Sequence, residues 1–79
     1  MPRFFFDITQ GQTSHQDDTG IEITSQAVPR EAHRFLSDLA KDEMPDEGEM
    51  QIRVNVRDND GHEVYRSELT LRSSWHRDE

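Results

Sequence analysis

Gln51-Ile52-Arg53-Val54-Asn55-Val56-Arg57-Asp58-Asn59-Asp60-Gly61 is the stretch that decides the fold. Apolar and polar residues alternate strictly along it. Ile52, Val54 and Val56 point one way; Arg53, Asn55 and Arg57 point the other. A period of two marks a strand with one buried face. Asp58, Asn59, Asp60 and Gly61 then supply residues that tolerate the positive φ of a tight hairpin turn. A return strand follows over residues 63–72. Tyr65, Ser67, Leu69 and Leu71 share one face of it, and Arg66, Glu68, Thr70 and Arg72 share the other. Val64 falls out of this register and predicts a bulge.

Upstream of the hairpin the period changes. Val28, Ala32, Phe35, Leu36 and Leu39 recur at spacings of three and four, which is one face of a helix. Arg30, Glu31, Arg34, Asp38 and Lys41 fall mainly elsewhere. Ser25 is the expected N-cap, with Pro29 near the first turn, where its missing N–H is not yet needed. A start at Pro29 itself is the alternative. Pro45 disfavours helical geometry at Met44, so the helix is expected over residues 25–44, with an acidic loop over 45–49.

The first third is strand-rich. Residues 3–9 carry three phenylalanines and Ile8, with Phe4, Phe6 and Ile8 on one face and Arg3, Phe5 and Asp7 on the other. Gln10-Gly11-Gln12 and Asp18-Thr19-Gly20 read as turns. Residues 13–17 are a candidate second strand, and Ile21 and Ile23 supply two apolar anchors before the helix. The expected class is α+β: one amphipathic helix on a three- to four-stranded antiparallel sheet, in the order β(β)αββ. Residues 1–79 read as one domain, with 73–79 a fraying polar tail.

The 79 residues are 30% hydrophobic and 33% charged, and only clustering of the apolar residues separates the chain from a disordered composition. The formal charge is −8, from 17 acidic and nine basic residues, which disfavours nucleic acid and anionic membranes at long range. Cysteine is absent, so disulfides, thiolate nucleophiles and cysteine zinc sites are excluded, and a reducing cytoplasm suits the chain. The apolar run at Phe4-Phe5-Phe6 is too short for a signal peptide or a membrane span.

Two surfaces stand out. The outward sheet face gathers Arg3, Phe5, Arg53, Arg57, Arg66 and Arg72, with Asp7 and Glu68 among them. Such a face could hold an anionic ligand or single-stranded nucleic acid. It could equally be a ladder of cross-strand ion pairs, or an interface with Phe5 at its centre. The second surface lies at the helix exit, where Asp42, Glu43, Asp46, Glu47 and Glu49 crowd together and could meet a basic partner. Asp58-Asn59-Asp60-Gly61 resembles part of a calcium loop, but Val56 and Ser67 stand where the terminal ligands should be acidic. His15, His33, His62 and His76 are too scattered for a ligand set. No serine nucleophile motif or phosphate-cradling glycine loop occurs. No catalytic residue, metal or cofactor is assigned.

The opening Pro2-Arg3-Phe4-Phe5-Phe6-Asp7 resembles the start of a family of small uncharacterised proteins common in rhizobia and related alphaproteobacteria. Asp18-Thr19-Gly20, Ala40-Lys41-Asp42-Glu43-Met44-Pro45, Arg57-Asp58-Asn59-Asp60-Gly61 and Leu69-Thr70-Leu71 follow in the family's order. Pro29 and Ser67 depart from its usual residues. The resemblance implies a domain of unknown function and transfers no active site. The expectation is a non-enzymatic cytoplasmic interaction module, with a homodimer as one form open to it, acting through a sheet edge, the outer face or the acidic loop. The alternative is an anionic-ligand or nucleic-acid binder on the arginine face. A third relation, at fold level only, is to small antitoxin-like domains that begin with a hairpin and then a helix.

Overall fold

In the computed structural model, which describes residues 1–43 and 47–76, the alternation at Ile52, Val54 and Val56 becomes complete burial, each side chain being 0% exposed. These residues belong to strand β4 (Gly48–Arg57), which pairs antiparallel with β5 (Glu63–Ser73). Arg57 faces Glu63 and Val56 faces Tyr65, so Val64 is left without a partner at the expected bulge. The turn is closed by Asp58, whose N–H donates to the His62 carbonyl at 2.8 Å. Gly61 adopts φ +87°, a conformation that favours glycine.

Strand β1 (Arg3–Gln10) pairs with the other side of β4, from Phe5↔Arg57 to Gln10↔Ile52. Strand β2 (Thr13–His15) folds back on the end of β1, giving the order β2-β1-β4-β5. A two-residue strand, β3 (Ile21–Glu22), pairs with Arg3 and Phe4. The sheet therefore has five strands rather than three or four. Helix α1 (Val28–Glu43) covers one face. Phe4, Phe6, Val28, Ala32, Leu36 and Ala40 close over the three β4 side chains to form the core. Phe35 stays half-buried, its ring 5.3 Å from that of Phe6. Each fully buried aliphatic side chain stabilises the fold by roughly 1.5–3 kcal/mol.

Four boundaries differ from the expectation. The second strand stops at His15, because Asp17 turns its carboxylate onto the backbone instead of continuing the ladder. Ser25 is not an N-cap. Residues Ser25–Ala27 form a 3₁₀ turn after Thr24, which makes no side-chain capping bond. Its bonds use the N–H groups of Ala27 and Val28, and the α-helix takes over at Val28, directly before Pro29, which has no N–H to give. Gly48 and Glu49 lie in β4 rather than in an acidic loop. Ser73 lies in β5, paired with Gly48, rather than in the tail. The expected helix end at Met44 and Pro45, and the tail beyond His76, lie outside the described residues.

Candidate functional site

The outward face assembles as expected from alternation. Arg3, Phe5 and Asp7 from β1, Arg53 and Arg57 from β4, and Arg66, Glu68 and Arg72 from β5 share it. The arginines are not free cations, however. Each of the five meets a carboxylate: Arg3 with Glu22 at 2.6 Å, Arg53 with Glu68 at 3.0 Å, Arg57 with Asp7 at 2.6 Å, Arg66 with Glu63 at 3.4 Å and Arg72 with Glu49 at 2.7 Å. Of the three readings of this face, the geometry is that of the ion-pair ladder. Exposed pairs of this kind contribute about 0–1 kcal/mol each.

The pair Arg57–Asp7 differs from the rest. Its side chains are 24% and 23% exposed, against 37% or more for the other arginines of the face. Arg57 Nε and Nη2 donate to the two oxygens of Asp7 at 2.6 and 3.1 Å. Nη2 also donates to the Asp17 carbonyl at 2.8 Å, and the guanidinium lies 5.1 Å from the Phe5 ring centroid. The Asp7 hydrogen bond raises the Arg57 pKa, so the guanidinium stays charged. Phe5 is thus half-covered by its own arginine.

Asp17, expected only as the last residue of the candidate second strand, organises this corner. Its Oδ2 accepts the Phe6 N–H at 3.1 Å; its Oδ1 accepts the N–H groups of Thr19 and Gly20 at 3.0 and 3.1 Å. The Asp17 N–H donates in turn to Asp7 Oδ1 at 3.0 Å. Burial pushes the Asp17 pKa up, but the three N–H groups and Arg57 outweigh it and hold the carboxyl below its ordinary value. Gly20 sits at φ +77°, and a Cβ there would come within 2.9 Å of the Phe5 ring and 2.8 Å of Arg3. An aspartate three residues before a turn glycine was the legible signal.

The described residues of the acidic surface fall on the helix, the bend after it and β4. Asp42 and Glu43 end the helix, Glu47 sits in the bend that follows, Glu49 is committed to Arg72, and Asp46 lies outside the described residues. In the hairpin turn, side-chain oxygens of Asp58 and Asp60 and a ring nitrogen of His62 lie within 4.8 Å of one another. Asp58 Oδ1 is already engaged by the N–H groups of Asp60 and His62, both at 2.9 Å, which is how the turn is held. These bonds, that of His62 first, hold the Asp58 carboxyl below its ordinary pKa. An open apolar groove of about 480 Å³ lies at the helix start between Pro2, Phe4, Val28, Pro29, Val64 and Tyr65. Asp58 is its one charged neighbour among the described residues.

The two sides of the sheet end differently. Beside β1, the short β2 and the Asp17 carboxylate take up the backbone. Beside β5, no described strand pairs with the side away from β4. Burial falls in that direction: Ile52, Val54 and Val56 on β4 are fully covered, whereas Tyr65, Leu69 and Leu71 on β5 are half-exposed.

Comparison with known families matches residues 3–70 to the domain of unknown function DUF6894. The chain belongs to that family. The match spans β1 to most of β5, so it takes in both the Asp17 corner and the hairpin. No curated protein and no solved structure matches the chain. No helix among the described residues is long and apolar enough to cross a membrane.

Proposed function

We propose that the domain is a non-enzymatic interaction module that docks an extended partner strand along the outer side of β5. The observation that carries this reading is the open β5 edge, regular from Tyr65 to Ser73 and without proline, beside half-exposed leucines. An edge of that kind is a template for strand addition, with backbone bonds supplying affinity and side chains supplying selectivity. The composition and the family resemblance support a bacterial, cytoplasmic setting for it. The groove at the helix start offers no pair of facing acid and base groups, which supports a non-catalytic role.

Site-specific photo-crosslinking in cells tests the reading. A photoreactive side chain at Thr70 on β5 is expected to give discrete protein adducts that peptide mapping places at the edge. The same group at Ser37, on the exposed side of the helix, is expected to give none. Absence of adducts from Thr70 overturns the docking role.

The alternative, an anionic ligand on the arginine face, loses support from the five carboxylate pairs. Titration with a fluorescent single-stranded oligonucleotide at low and moderate salt is expected to show no binding. Affinity that falls steeply with salt would reverse this ranking.

A further inference from the structure

Resting on that edge-docking reading, we infer that the strand added to β5 is β5 of a second copy, antiparallel to the first about a two-fold axis at Thr70. The argument comes from the register of β4 on β5. Five consecutive pairs are Glu49↔Arg72, Met50↔Leu71, Gln51↔Thr70, Ile52↔Leu69 and Arg53↔Glu68. Placing Thr70 opposite the partner's Thr70 sets Glu68 opposite the partner's Arg72 and Leu69 opposite the partner's Leu71.

Each row then continues across the joint. On the outer face the row reads Arg53, Glu68, the partner's Arg72 and the partner's Glu49, alternating in sign at every step. The symmetry operation repeats it in reverse. On the helix face the row reads Ile52, Leu69, the partner's Leu71 and the partner's Met50, apolar throughout. The central row is Gln51, Thr70 and their two symmetry mates. Opposite charges, aliphatic pairs and threonine pairs facing each other are the stabilising cross-strand combinations. Residues of the same parity face each other, so both helices lie on one face of the joined sheet. The half-exposed Leu69 and Leu71 become interior.

Axes from Arg66 to Leu69 fit less well. An axis at Arg66 or Glu68 sets like charges against each other, and an axis at Leu69 sets Arg66 against the partner's Arg72. An axis at Ser67 does place Arg66 opposite the partner's Glu68, but the pairing meets the Val64 bulge directly beyond Tyr65. The axis at Thr70 keeps the overlap within the regular part of β5. Isologous contacts of this kind close as a dimer and leave no further β5 edge to propagate.

The chain has no cysteine, so a single introduced one reports on geometry. Sedimentation of the full chain from about 1 μM to about 1 mM is expected to show a monomer–dimer equilibrium. Thr70→Cys is expected to form a disulfide or a short bis-maleimide bridge between copies, and Ser37→Cys is not. Thr70→Glu places two carboxylates face to face on an exposed position. It should weaken the dimer by about tenfold or more while the far-ultraviolet circular dichroism of the monomer is unchanged. A monomer throughout the range overturns the inference, as does a dimer insensitive to Thr70→Glu. Bridging through Ser67→Cys but not Thr70→Cys overturns the register. If Thr70 crosslinks in cells to a different protein while the chain sediments as a monomer, self-pairing fails and edge docking stands. If Thr70 gives no adduct at all, edge docking fails with it.

Discussion

The Asp17 carboxylate receives the N–H groups of Phe6, Thr19 and Gly20, and it does so as an anion. Its folded pKa lies below its unfolded one, so it contributes stability that is complete above about pH 3.9 and is lost as pH falls through the lower folded value. Asp17→Asn should lower the melting temperature near neutrality and flatten the acid limb of the stability curve. Thermal melts from about pH 5 down to about pH 2 measure this; an acid limb as steep as that of the parent chain would contradict it. Arg57 makes a second contrast. Arg57→Ala strands a sheltered Asp7 and removes the donor to the Asp17 carbonyl, so a loss of about 1–3 kcal/mol is expected in urea denaturation. Arg53→Ala removes only an exposed pair and should shift stability by less than about 1 kcal/mol. Equal losses from the two changes would show that the Asp7–Asp17 corner has no special weight.

Among the elements, the hairpin was the most legible, because a period of two ending on Asp58-Asn59-Asp60-Gly61 leaves few alternatives. Even the bulge could be read, from one residue out of step at Val64. The helix face was equally plain from its spacing. What escaped was decided by single backbone groups. Strand β3 is two residues long, too short to show a period. The 3₁₀ turn depends on which N–H groups remain available ahead of Pro29. The charge partners of the arginines were hidden for a different reason: Arg57 and Asp7 lie fifty positions apart, and only the register brings them together. The core assignment has its own check. Val54→Ala should cost about 2 kcal/mol from lost contact and the cavity left behind. Phe35→Ala should cost less than the roughly 3–5 kcal/mol of a fully buried phenylalanine, since its ring is half-exposed. An unchanged urea midpoint for Val54→Ala would place the core elsewhere.

For the molecule as a whole, the position of β1 matters most. It comes first in the chain yet lies inside the sheet, between β2 and β4. Its bonds to β4 close loops of some of the longest separations in the structure, whereas β4 and β5 are joined by a short turn. Loop closure costs more as separation grows, so the hairpin is expected to form first and β1 to dock onto it later. In stopped-flow measurements, Leu69→Ala should therefore slow refolding, and Phe4→Leu should mainly speed unfolding. The reverse pattern would mean that β1 is part of the folding nucleus. During synthesis the delay has a physical length. At about 5–20 residues per second, the ribosome needs several seconds to carry the chain from β1 to the end of β4. Throughout that interval Phe4, Phe5 and Phe6 lack the β4 strand beside which they pack.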